Sequence, residues 1–529
     1  MTATEMHGVP SPPELAIQVP GWRYDQARVI AESRDALAAY RPVIVEAPPG
    51  FGKVVVGVAV ARVLGLRSLI LTGTKALQRA YGGPPTSIAV VTGRPNHDCV
   101  LIPGVKAHEG PCRLGFECPH RYGSCPYFLQ RDRGLEADIV VANYAMALSD
   151  PMGVLFEDRD LVICDEAHLI ESELADHLAI RLSGEMIVFK TLGLPALPST
   201  STLESLIDWG AAASGLLSDV MERCEQRAGL SGSTINAREA HLFERLRDLH
   251  TMVERLSLTD GTWCSQVETD DAGKSTTVIK PTIVAPLAQQ VLWSRVPRIM
   301  LMSGSVISAH DLVSTIGLDP AIVVRVQAEH PTPAANRPIY YRPAARVSHW
   351  AYGSELPRLA EAVDTVVEHH SNGGILPTKG IIHTWNWTIA RFLSEHCRTR
   401  GLFFNHDTAD RHEVFSRFRA AVAPAVLLSP SAYYGEDFPG DEARWQIIAK
   451  VPYPNLGDHW VGSRRQQDGT WYIRQTVTDL TQTVGRLARG PEDSGITYIF
   501  DSNFERLWAD VSGWFPAWFH DGLAAARNV

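Results

Sequence analysis

The chain has 529 residues, of which 45% are hydrophobic and 20% charged, with a formal net charge of -10. One hydrophobic core does not fill that length, so three or four domains are expected. The acidic balance excludes binding to nucleic acid by overall attraction and leaves room only for a locally basic groove. The best apolar run, Val54 to Leu66, is broken by Arg62, so no membrane-spanning segment or membrane partner is expected. A basic stretch followed by an apolar core is missing from the N-terminus, which gives the expectation of a soluble, cytoplasmic protein.

Residues 1–20 are rich in Pro and small polar residues and read as an irregular arm. Trp22-Arg23-Tyr24-Asp25-Gln26 then opens a helix that runs to about Tyr40. Gln26 has two readings, a hydrogen-bonding partner for the edge of an adenine or a simple helix start. The apolar run Val43-Ile44-Val45 leads into EAPPGFGKVVV, Glu46 to Val56, and a stretch without breakers to Leu66. Strand, glycine-bearing loop, lysine, helix is the order of a phosphate-binding loop. Pro49, Gly50, Phe51, Gly52, Lys53 and Val54 would wrap a polyphosphate, with backbone amides facing the anion and Lys53 on the outer phosphates. Val54 departs from that pattern, because the following position normally carries a hydroxyl for Mg²⁺.

Ser68 to Thr72, Ile88 to Val91, Asp138 to Ala142 and Leu161 to Cys164 read as further buried strands alternating with helices. That alternation indicates a doubly wound parallel sheet. Between the third and fourth of the sheet's strands lies a polar, Gly- and Pro-rich insertion with Cys99, Cys112, Cys118 and Cys125. Four local cysteines in a reducing compartment mean metal more readily than disulfides. Zinc and an iron–sulfur cluster are both open, and the wide gaps without a close knuckle suit the cluster better. His97, His108 and His120 read as local hydrogen-bonding residues.

From about Ser172 to Leu256 apolar residues recur at three- and four-residue spacing, the mark of an inserted helical domain. Trp263 to Ile283 reads as a hairpin turning at Asp270-Asp271-Ala272-Gly273, and Arg298 to Met302 as a strand ending in Ser303-Gly304-Ser305. A second α/β unit follows, with strands at Gly380 to His383, Ala425 to Ser429, Trp445 to Lys450 and Gly495 to Phe500.

Two constellations suit hydrolysis of a nucleoside triphosphate. The strand ending in Asp165-Glu166-Ala167-His168 places one acid to hold Mg²⁺ and the next to orient and deprotonate water. Gln482-Thr-Val-Gly485-Arg486-Leu-Ala-Arg489 puts two arginines on one helical face, where they can reach a γ-phosphate across a cleft.

Taken in order, these motifs resemble the iron–sulfur helicases of superfamily 2, the XPD/DinG group. EAPPGFGK is similar to motif I, TGTKALQ to motif Ia, DEAH to motif II, YGEDFPGDEARWQIIAKVPYPN to motif V and QTVGRLAR to motif VI. SGS at 303 to 305 stands where the group has Ser-Ala-Thr. The resemblance implies an α/β fold of two RecA-like parallel-sheet lobes, with an inserted four-cysteine iron–sulfur domain and an inserted helical arch-like domain. On that plan lobe 1 takes 1–92, 137–171 and 263–330, the cluster domain 93–136, the arch 172–262 and lobe 2 331–529. It implies ATP, Mg²⁺ and a 4Fe-4S cluster as cofactors. Catalysis falls to Lys53, Asp165, Glu166, Gln482, Arg486 and Arg489. Nucleotide binding takes in Gln26, the loop and Asp437, Asp165 holds Mg²⁺, and the four cysteines hold the cluster. Single-stranded DNA and forked duplex are the implied partners, with RNA left open, 5′→3′ unwinding and a monomeric state. Tyr144, Trp385, Trp387 and Tyr433 are candidates for stacking bases, each weighed against a core role. With Val54 in place, a nucleotide-gated DNA clamp with impaired hydrolysis is the rival expectation.

Overall fold

The computed structural model describes residues 7–526 except 111, 113–117, 150–152, 184–196, 199–201, 232–245, 247–248, 257–258, 270–272, 274, 349–351, 373–375 and 432–435. Part of the expected hairpin turn, Asp270 to Ala272, and Tyr433 therefore lie outside the described residues.

In chain order the first strands are β1 (Val43–Glu46), β2 (Ser68–Thr72), β3 (Ala89–Val90), β4 (Ile139–Asn143) and β5 (Leu161–Asp165). Next come β6 (Ile180–Ser183), β7 (Trp263–Thr269), β8 (Ser275–Pro281), β9 (Arg298–Ser303) and β10 (Val324–Gln327). The last six are β11 (Ile339–Ala345), β12 (Lys379–His383), β13 (Phe403–Asn405), β14 (Ala425–Ser429), β15 (Trp445–Ile448) and β16 (Ile496–Asp501).

Two parallel sheets form two RecA-like lobes. The first has the order β10-β1-β9-β5-β2-β4-β3 and the second β11-β16-β15-β12-β14-β13. Val43, Leu69, Val140 and Val162 are fully buried, as strands covered by helices on both faces require. In both sheets the carboxyl ends of the strands share one edge, where α/β folds gather ligands. β9 lies between β1 and β5 and pairs with both, Met302 standing opposite Val45 on one side and Asp165 on the other. That adjacency carries the phosphate loop, the paired acids and the Ser303-Gly304-Ser305 turn to one place.

The hairpin does not join the first sheet. β7 and β8 pair antiparallel with each other, and β8 pairs antiparallel with β6, so three strands make a separate small sheet. Beside it the helix Leu203–Ser231 contributes Leu206, Trp209, Ala213 and Leu217 to a satellite core that also takes in Ile180, Leu182, Trp263 and Ile279. The small sheet docks on lobe 2: Trp460 Nε1 donates to the Pro281 carbonyl (2.8 Å), and the Lys280 ammonium lies 4.5 Å from the centre of the Trp460 ring.

Lobe 2 depends on one close approach. A Cβ on Gly380 in β12 would fall 2.1 Å from Cε2 of Trp445, a fully buried side chain of β15. Gly380→Ala forces that indole out of its place and is expected to destabilise lobe 2 by about 1–3 kcal/mol. A lower thermal midpoint by circular dichroism, with Gly401→Ala as control because its added Cβ meets open space, checks this.

Candidate nucleotide site between the lobes

The phosphate loop is built as its glycines require. Gly50 and Gly52 have φ of +80° and +91°, and the helix Lys53–Leu64 starts directly after them. Gln26, itself buried, donates from Nε2 to the Phe51 carbonyl (2.7 Å) and accepts from the Arg23 amide (2.9 Å), so its carboxamide braces the loop from behind. One amide hydrogen and one lone pair are left over, the complementary pair that an adenine edge presents. Val54 faces the apolar cluster that includes Val56, Val58 and Met302. Hydrocarbon packing thus replaces the usual hydroxyl.

Lys53 Nζ lies 3.6 Å from Oε1 of Glu166. Tyr81, fully buried, donates its hydroxyl to Asp165 Oδ2 (3.0 Å), and the Glu166 amide donates to Oδ1 (2.9 Å). Burial, then the neighbouring charge of Glu166, push the Asp165 carboxyl up. Burial also works against ionisation of Glu166, but Lys53, His168, Arg486 and Arg489 together outweigh it and hold that carboxyl down. Two adjacent acids thus acquire opposite proton affinities, the arrangement that lets neighbouring carboxylates take different tasks.

His168 Nδ1 meets Ser303 Oγ at 3.0 Å, with Glu166 Oε2 at 3.4 Å, and burial shifts its pKa downward. From lobe 2, Gln482 Nε2 donates to Ser305 Oγ (2.7 Å) and reaches Glu166 Oε2 at 3.4 Å. Arg486 Nη1 donates to Asp437 Oδ1 (3.2 Å), and Arg489 is paired with the other oxygen of the same carboxylate. Burial lowers the pKa of both arginines, that of Arg489 to about 10. The lobes touch at the loop itself: a Cβ on Gly50 would lie 2.2 Å from the Arg489 carbonyl oxygen, and one on Gly485 2.3 Å from Pro49 Cγ. Beside Pro48 and Gly304 a cavity of about 640 Å³ opens toward Trp514, Phe515 and Trp518.

Lys53, Asp165, Glu166, Gln482, Arg486, Arg489 and Asp437 are therefore brought together. Tyr81, His168, Ser303 and Ser305 also belong to the site. Tyr81 gives no local signal, because it lies far from Asp165 in sequence; the two serines are visible there only as a motif. Tyr144 is no base platform. It is 1% exposed, and its hydroxyl donates to the Asp165 carbonyl (2.9 Å), a strut beneath the acids.

Cys99, Cys112, Cys118 and Cys125 are all free thiols. Arg94 Nη1 approaches Cys112 Sγ at 2.9 Å, and Cys112 packs against the small cluster of Ala107, Cys125, Tyr127 and Phe128. Among the described residues, no three His, Cys, Asp or Glu converge as a metal-holding group. By residue type the four cysteines offer the all-thiol ligands that an iron–sulfur cluster takes, but the described residues do not bring them together as a set. His97 and His120 bond Thr92 and Ser124.

Residues 384–522 match the family of the helicase C-terminal domain, and residues 116–187 match the DEAD_2 family. The chain is 22% identical to the ATP-dependent DNA helicase YoaA of Escherichia coli, over 92% of this chain and 93% of that protein. A probable ATP-dependent helicase of Methanocaldococcus jannaschii is 28% identical over 32% of this chain and 31% of its own length. Among solved structures, an XPD helicase superposes with a TM-score of 0.62 at 13% identity, covering 97% of this chain and 99% of that one. Xpd4 of S. tokodaii superposes at 0.60 and 15% identity, covering 94% and 98%.

Gly50→Ala is expected to push Arg489 off the loop and to strain a backbone that favours glycine. ATP turnover should fall by at least tenfold while the thermal midpoint stays within a few degrees, which steady-state ATPase and melting assays check.

Proposed function

The chain belongs to the XPD/DinG type of superfamily 2 helicases, and on that premise we propose an ATP-driven motor that moves 5′→3′ on single-stranded DNA and opens forked duplex. The observation that carries the reading is the meeting of Lys53, Gln482, Arg486 and Arg489, from two lobes, around the half-buried Glu166. A triphosphate on the loop would place its outer phosphates at Lys53 and its terminal phosphate before the arginines. In the structure those arginines clasp Asp437. Exchanging that carboxylate for a phosphate would draw lobe 2 onto lobe 1, and release of phosphate would return it, the closing and opening that a translocating motor needs.

Glu166, held ionised, is the group to orient and deprotonate the attacking water. Mg²⁺ when bound offsets phosphate charge, and Asp165 is the carboxylate that would hold it. Gln482, bonded to both Ser305 and Glu166, and His168, bonded to Ser303, would report the state of the nucleotide to the turn at 303 to 305. The four cysteines would hold a 4Fe-4S cluster, whose chemistry here is that of a cross-link for a segment with little apolar core.

Val54 supports a second reading, a nucleotide-gated DNA clamp, because its side chain contributes packing and no metal ligand. DNA-stimulated ATP hydrolysis is expected in the wild type, is expected to vanish in Lys53→Ala and to rise in Val54→Thr. A wild type that binds ATP and DNA without DNA-stimulated turnover supports the clamp instead. Strand displacement with either overhang tests the polarity. Protein purified without oxygen should be brown and contain iron and acid-labile sulfide; a colourless, active preparation with stoichiometric zinc would sink the cluster.

A further inference from the structure

The carboxyl edge of the lobe 2 sheet carries a feature that the nucleotide chemistry leaves unused. β12 and β14 are paired in register, His383 opposite Ser429, so the turns that follow them leave the sheet side by side. After β12 comes Thr384-Trp385-Asn386-Trp387. Trp385 has φ of +53°, a left-handed conformation rare for a bulky side chain. Backbone strain of this kind persists where surrounding structure holds it, and it collects at ligand clamps.

Asn386 then caps the helix Trp387–His396, its Oδ1 accepting the amides of Thr388 (2.8 Å) and Ile389 (3.2 Å). Trp387 is thereby fixed at the first helical position. It is nevertheless 45% exposed, the one tryptophan among the described large hydrophobic residues that stands in solvent. Its ring meets His406 edge to face, centres 5.6 Å apart, and His406 Nε2 is anchored on Ser429 Oγ (2.7 Å). A core role does not account for so exposed an indole. Arg391 lies exposed one helical turn further on, on the same side of the helix as Trp387.

We propose that Trp387 is a stacking platform for one base of the single strand, held rigid by Asn386 and His406, with the exposed Arg391 one turn along the same helix available to a backbone phosphate. A flat, preorganised ring is sequence-tolerant, because every base has a π-face to offer. The proposal rests on the single-strand reading above and assigns one contact within it.

The full-length protein is titrated with a fluorescent oligothymidylate and with an abasic oligonucleotide of equal length, as wild type, Trp387→Ala and Trp387→Phe. Wild type should bind the oligothymidylate on the order of tenfold more tightly than Trp387→Ala, with Trp387→Phe recovering most of the difference. On the abasic strand the three should bind alike, with thermal midpoints unchanged. Equal affinity of wild type and Trp387→Ala for the oligothymidylate would overturn the platform, and so would an equal loss on both strands, which marks a packing role. A wild type that binds neither strand overturns the single-strand reading itself, and the platform with it.

Discussion

One carboxylate, Glu166, organises the molecule. Glu166, its side chain 19% exposed, is held ionised against its burial by Lys53 and His168 of its own lobe and by the charges of Arg486 and Arg489 from the other. The arginines are balanced by Glu166, by Asp437, which both of them pair with, and by Glu436 and Asp493 beside them. Such a cluster has a built-in appetite for further negative charge. A polyphosphate fits that electrostatic demand better than either carboxylate alone, which makes the seam between the lobes responsive to its contents.

Much of this is legible in the sequence, for physical reasons. The strands of the two central sheets announce themselves as short β-branched runs because both of their faces are buried, and β1, β2, β5, β12, β14 and β15 are found that way. β10, β11 and β13 are not. Each is at or next to a sheet edge, β10 alternates valine with Arg325 and Gln327, and β11 contains Arg342 and Pro343. β6 stays hidden because its partner, β8, lies almost a hundred residues later in the chain, beyond the reach of any local pattern.

The site divides along the same line. Residues that belong to a motif are named by their spacing: Lys53, Asp165, Glu166, Gln482, Arg486 and Arg489. What spacing does not carry is which side chains brace them. Tyr81 and Tyr144 approach Asp165 from below, one at its carboxylate and one at its carbonyl, and only the pairing of β2 with β4 and β5 brings them there. In the sequence Tyr144 is a candidate surface for bases because aromatic residues at strand ends so often serve that way; burial reverses the reading.

The stretch from Asp165 to Glu171 fastens the lobes at two points. Its first residues face the nucleotide site, and Glu171 accepts from Arg464 Nε and Trp471 Nε1 of lobe 2, both at 2.8 Å. Only a short 3₁₀ turn, Ala167–Leu169, and the start of the helix Ile170–Leu178 separate them. That segment is a ruler. One residue more or less would rotate Glu171 by about 100° about the helix axis and turn it away from both partners. The six residues after Asp165 are fixed in number, because they set two distant contacts to the same register.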